Sequence, residues 1–324
     1  MNALSVARFR ITHRLFTILA VWAVSCSLAG NSIAALFADF DPVRHERYLA
    51  NGSPNEDFIL DEAAITGLGG TAALITPFHF ITAAHDLPVS DPTFTGQFRG
   101  LNGTIHSFTT SDFVDLTTTY YDSDLMMEVT AKSDVRIYRL PMAIPESSMI
   151  TPMAILDADV DLLKNRNIFV VGIDDQAGRN KVDGGTIVTL NSGRKPTEAI
   201  VYDHDTDING GTNPVLLDEA SLRPGDSGYQ ALIRSGDDLA LIGAHFGIVV
   251  PEGESANNSS NYLSFSSLLT GYLDQIDTVV AADGYAINRV TITAVPEPSA
   301  TIVLAGAGLV GWLWRRKRKV QPSC

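Results

Sequence analysis

The sequence predicts an all-β fold in two β-rich halves closed by a single helix. Short β-rich runs recur along the chain: "GTAALITP", "HFITAAH", "DVRIYRL", "NIFVVGI", "GTIVTL", "EAIVYD", "YQALIRS" and "LALIGAHFGIVV". Clusters of Gly, Pro, Asp and Asn separate them, which is the punctuation of a sandwich or barrel rather than of alternating βα units. Helical spacing enters late, in "SSLLTGYLDQIDTVV". There Leu268, Leu269, Tyr272, Leu273, Ile276 and Val280 fall on one face, with Ser266 or Ser267 as N-cap. The halves run over about 48–150 and 151–261, with the helix at about 266–280. No internal repeat is present.

The bulk numbers fit a globular chain. Of 324 residues, 45% are hydrophobic and the formal net charge is −14. Nucleic acid is excluded as a partner, because phosphate binding needs clustered Lys and Arg. The two cysteines, Cys26 and Cys324, sit in the terminal segments. The folded part is therefore expected to use neither disulfides nor thiolate metal sites, and to rely on its core. At this length a domain buries about 70% of its unfolded surface, which is enough.

Both ends read as addresses. The start, "MNALSVARFRITHRLFTILAVWAVSCSLAGNSIA", carries Arg8, Arg10 and Arg14, then an apolar run from Leu15 to Val24, then small residues. That is the order of a secretory signal peptide over 1–34, with cleavage after Ala34. At the other end, "VPEPSATIVLAGAGLVGWLWRRKRK" places Pro-Glu-Pro before an apolar segment at about 299–314, then the basic cluster Arg315 to Lys319. The segment is at the short limit for a membrane span, and the basic cluster would stay cytoplasmic. A plain anchor does not require the Pro-Glu-Pro. The order resembles the PEP-CTERM sorting signal of Gram-negative bacteria, here over 291–324. That resemblance implies an exosortase-type membrane enzyme as partner, contact with the membrane through the tail before processing, and a destination in the cell envelope or at the cell surface.

The chemistry centres on "LRPGDSGYQALI", Leu222 to Ile233. A serine hydroxyl needs a base, a group that orients the base, and donors for the oxyanion. Histidine suits the base role because its ordinary pKa is near 6.5. Of the seven histidines, His85 stands out, because it ends "GTAALITPFHFITAAH", where two apolar strands lead into small residues. Ala83 and Ala84 let the backbone turn there and present the ring at a cleft edge.

These segments resemble the trypsin/chymotrypsin-like serine peptidases. Thr82-Ala83-Ala84-His85 is similar to that family's histidine box, and Gly225-Asp226-Ser227-Gly228 to its serine box. Asp134, opening "DVRIYRL", stands where the family's orienting acid opens a strand. The resemblance covers about 65–277 and implies two six-stranded antiparallel β-barrels and a terminal helix, within a peptidase domain at 48–290. It implies Ser227 as nucleophile, His85 as general base, Asp134 as the acid behind it, and the N–H groups of Gly225 and Ser227 as oxyanion hole. Substrates would be proteins or peptides, and no cofactor or metal is called for. An α/β-hydrolase site is set aside, because Tyr229 stands where its motif needs glycine.

Departures from the family pattern concern specificity and activation. Ser221, six residues before Ser227, stands at the usual pocket floor and is neutral, so a preference for Lys or Arg is not implied. "IGAHFG" is similar to a strand of glutamyl endopeptidases, which would make His245 a reader of acidic side chains. No plain activation sequence is present. The nearest is "RYLANG", with cleavage after Arg47 freeing an ammonium for Asp226 and leaving 35–47 as a pro-segment. "DHDTDINGG", Asp203 to Gly211, spaces carboxylates as calcium loops do. It lacks their glycine and has Pro214 where glutamate is needed, so it reads as a solvated loop. The alternative from another class is an inactive peptidase homologue serving as a surface-displayed binding protein.

Overall fold

The computed structural model describes residues 36–85, 87, 92–189, 196–204, 218–250 and 263–292. The signal peptide, the sorting tail with its apolar segment, and nearly all of the 203–211 loop lie outside these residues.

An N-terminal strap opens the described chain: β1 (Leu36–Phe37), α1 (Pro42–His45) and α2 (Glu62–Ile65). Then come β2 (Leu68–Gly69), β3 (Ala72–Thr76), β4 (His79–Ala83), β5 (Phe94–Arg99), β6 (Ile105–Thr110), β7 (Phe113–Asp122) and β8 (Met127–Arg139). The second half holds β9 (Ala154–Asp157), β10 (Asn167–Gly172), β11 (Gln176–Lys181), β12 (Gly184–Val188), β13 (Thr197–Asp203), β14 (Ala220–Ser221), β15 (Gln230–Ser235), β16 (Asp238–Val249) and β17 (Leu263–Ser267). A 3₁₀ turn, α3 (Leu273–Ala282) and β18 (Arg289–Thr291) finish it.

The fold is all-β and largely antiparallel. In the first half β2-β3-β4-β8-β7 form one sheet, and β5-β6 form a separate ribbon. Phe80, Phe94, Phe98, Phe108 and Tyr138 fill the space between them. Each such ring buries a large apolar area and prefers offset or edge contacts, and Phe80 and Tyr138 stack at 5.2 Å. Both halves depart from the expected six strands, the first with these seven and the second with more. Nine strands join there, in the order β11-β10-β15-β16-β17-β13-β12 with β9 and β18 attached. β9 pairs in parallel with both β16 and β18, so chain beyond the helix returns to complete this sheet.

The seam between the halves is itself core. Ile81, Val135 and Ile137 from the first sheet pack with Phe169, Leu232 and Leu241 from the second, and α3 closes the cluster with Ile276 and Val280. Each fully buried aliphatic side chain contributes about 1.5–3 kcal/mol. The helix begins later than its periodicity predicts. Ser266 and Ser267 are buried strand residues rather than caps, because their hydroxyls bond inside the sheet, Ser266 to His245 and Ser267 to Ala244.

From this position the 3₁₀ turn and α3 grip the β7–β8 hairpin. Tyr272 Oη pairs with Thr118 Oγ1 at 2.6 Å and accepts from the Glu198 N–H at 3.0 Å. Gln275 accepts from the Thr117 N–H and donates to the Thr117 carbonyl. Removing the Tyr272 hydroxyl strands both of its partners in a buried site. Tyr272→Phe should therefore lose about 1–3 kcal/mol. In a thermal melt that is a fall of about 2–4 °C per kcal/mol; an unchanged midpoint would show that the partners find other bonds.

Candidate active site

The β4–β8 ladder brings His85 to Asp134. The register sets Ala83 against Val135, and the Ala84 N–H donates to the Asp134 carbonyl at 3.0 Å. One residue further on, the His85 ring turns across the end of the ladder. Its Nδ1 lies 2.5 Å from Asp134 Oδ2. The two alanines are necessary here. Ala84 is fully buried, and Ala83 packs against Ala199, Phe246 and Phe265 of the other half.

Asp134 is held from both halves. Its N–H donates to Thr197 Oγ1 on β13 at 2.8 Å. A bulge at Leu116, where the β7–β8 register shifts, lets the neighbouring Ser133 hydroxyl donate to the Leu116 carbonyl. The Asp134 side chain is fully buried, and its Oδ1 has no hydrogen-bond partner among the described residues.

Ser227 comes from the second half. Arg223-Pro224-Gly225-Asp226 is a tight turn closed by the Asp226 N–H on the Arg223 carbonyl at 3.0 Å. Proline at its second position and glycine at φ +108° at its third make it type II. That geometry flips the central peptide relative to type I, and so decides which way the Gly225 N–H points. Neither the Gly225 nor the Ser227 N–H donates to another described residue. Gly228, also at positive φ, ends the turn and ties back to the His245 carbonyl at 2.8 Å. Ser227 Oγ then lies 2.8 Å from His85 Nε2, across 142 residues of sequence.

The turn is braced from within by Asp226. Its carboxylate accepts from the Ile173 N–H at 2.9 Å and from the Arg223 N–H at 2.7 Å. Burial pushes its pKa up to about 6, against the pull of those two donors. Both oxygens are thus occupied without an N-terminal ammonium. Arg47, the expected processing point, is itself locked in place. It is 3% exposed, with its guanidinium on Glu62 at 2.8 Å and on the carbonyls of Ile65 and Leu68.

The structure also corrects the reading of His245. Its ring is fully buried: Nε2–H donates to the Val171 carbonyl at 2.8 Å, and Nδ1 meets Ser266 Oγ at 2.7 Å. Burial lowers its pKa to about 3, so it is neutral, with no free nitrogen for an acidic side chain. It is an internal tie among β10, β16 and β17 of the second sheet. Ser221 is fully buried on β14, paired through its backbone with Leu36 of the strap.

Sequence reasoning missed Thr197 and Gln230. Gln230 Nε2 donates to the carbonyls of both Gly70 and Gly228, which stitches the two halves together beside the serine. A signal for it existed, since a glutamine within the apolar run of β15 needs a polar partner. Thr197 gave none. Among the described residues, no group of three His, Cys, Asp or Glu side chains could hold a metal ion, and no helix is long and apolar enough to cross a membrane.

Comparison with known proteins adds little on chemistry and more on destination. Residues 294–318 match the PEP-CTERM protein-sorting motif. No curated protein matches the chain. Among solved structures, an inactive mutant of the NS6 protease of murine norovirus is similar over 63% of this chain and 98% of that one, at 13% identity and a TM-score of 0.37.

The raised pKa of Asp226 has a consequence for stability. Between the unfolded value of 3.8 and the folded value of about 6, the folded chain keeps a proton that the unfolded chain releases. The contribution of this group therefore falls as pH rises through that window and is level above it, a change of up to about 3 kcal/mol. Chemical unfolding followed from pH 4 to 7 should show that decline in the parent and a flatter profile in Asp226→Asn. Parallel profiles would refute it.

Proposed function

We propose that this chain is an exported serine endopeptidase of the trypsin/chymotrypsin-like type, acting through Ser227, His85 and Asp134. One observation carries the reading: an unbroken hydrogen-bonded line from Asp134 through His85 to Ser227, assembled from two different sheets. Such a line has a simple use. His85 Nε2 takes the hydroxyl proton as Ser227 Oγ attacks a peptide carbonyl, then returns it to the leaving amine. Asp134 keeps the second ring proton on Nδ1 and stabilises the imidazolium. Water, activated by the same ring, then hydrolyses the acyl-enzyme.

The N–H groups of Gly225 and Ser227 are the donors for the oxyanion. Their lack of partners among the described residues, and the type II turn that orients the first of them, support the assignment. On this reading Ser221, buried on β14, is the neutral residue at the floor of the specificity pocket. The PEP-CTERM motif supports export and sorting to the cell envelope or surface, with an exosortase-type enzyme acting on the tail.

A fluorophosphonate probe should label the protein, and Ser227→Ala should abolish both labelling and peptide hydrolysis. Asp134→Asn should lower kcat by about 10⁴ through the wrong ring tautomer. Gly225→Ala, forcing a side chain onto φ +108°, should cost about 10²–10³ in kcat. Absence of labelling in the parent would overturn the reading in favour of a non-catalytic binding protein.

A further inference from the structure

A cavity of about 280 Å³ opens beside the serine turn, lined by Arg47, Tyr48, Gly69, Gly70, Arg99 and Asp175 among others. Two links place it there. Gly70 shares the Gln230 amide with Gly228, so their carbonyls are no more than two hydrogen-bond lengths apart. On another wall, Asp175 lies two residues from Ile173, whose N–H is bound by Asp226. A peptide advances about 3.3–3.6 Å per residue, so a substrate lying on Ser227 reaches this cavity within a few residues of its scissile bond.

The charges of the cavity are unequally matched. Arg47 is spent on Glu62, with both oxygens at 2.8 Å, and Asp175 faces Arg47 at 3.9 Å. Arg99 has no such partner. Its guanidinium lies 5.0 Å from the Tyr48 ring centre and gives one N–H to the Gly52 carbonyl at 3.0 Å. Among the described residues no carboxylate lies within ion-pair distance of it. Arginine presents five N–H donors in a planar fork, so an edge suited to a carboxylate remains open. Asp175 of the same cavity acts on Arg99 at longer range without pairing with it, so the half-buried guanidinium keeps an open edge at the cavity.

From this we infer a substrate subsite: Arg99 binds a carboxylate carried by the peptide, either an acidic side chain or a terminal carboxylate, in the cavity beside Ser227. The inference rests on the peptidase reading, but its test does not need turnover. Ser227→Ala protein is titrated with fluorescent peptides in which Glu or Gln is scanned through each position, with the C-terminus free or amidated. At one position Glu should bind about tenfold tighter than Gln, as a charge-assisted pair would. Alternatively, if the free terminus is the ligand, amidation should cost the same factor.

That advantage should vanish when Arg99→Gln is added, survive in part in Arg99→Lys, and shrink as salt is raised. The salt series does not depend on how well the Arg99 variants fold. No Glu or terminal preference, or one that Arg99→Gln leaves intact, overturns the subsite. So does a preference for Lys at the same position, which would make Asp175 the reader. Fluorophosphonate labelling of the parent protein separates these outcomes from failure of the peptidase reading.

Discussion

Everything at this site depends on holding the seam between two sheets to within a hydrogen-bond length. The imidazole hangs from the first half and the hydroxyl from the second, 2.8 Å apart. On the proposed reading, a displacement of about 1 Å between these groups would cost about 10²-fold in rate, so a loose seam would not serve. The chain meets this demand with apolar packing and with aimed polar ties. Thr197 holds Asp134 from the far side, and Gln230 holds Gly70 against Gly228. Between them, Ile81, Val135, Leu232 and Leu241 leave the halves no layer of solvent along which to slide.

Order at the serine turn has a separate source. A buried carboxylate costs free energy unless it is well bonded. Asp226 offsets that cost by collecting two backbone donors, one from within the turn and one from the loop after β10. The same two bonds define the turn and fasten it to the second sheet. The conformation at Gly225 is thus set by donors already inside the domain, while Arg47 serves as a strut beneath α2 and the strap.

Much of this was legible in the sequence, for reasons particular to each segment. The eight apolar runs all became strands, most of them buried on both faces as continuous Val, Ile, Leu and Ala require, with β12 the solvent-facing exception. The strands β5, β6, β7 and β11 escaped notice, since their Thr, Ser, Gln and Arg residues face outward and blur the alternation. His85 and Ser227 could be picked out because one closes a strand and the other sits in a turn. Asp134 is read instead from the apolar alternation that follows it, and it lies inside β8 rather than at its start. Burial of His245 could not, because it depends on a register shift between His245 and Gly247 that redirects the side chains of β16. Nor could the service of Thr197 and Tyr272, whose partners lie far away in sequence.

One arrangement links chemistry to destination. The element that clasps the hairpin bearing Asp134, through Gln275 and Tyr272, runs almost directly into β18, and from there the chain continues to the sorting motif. A pull on the chain beyond β18 would be borne first by the three-residue parallel ladder of β18 on β9, and next by α3, which holds Thr117 of β7. The path from the sorting motif back to the hairpin that bears Asp134 is thereby short, with β18 and α3 as the only named elements between them.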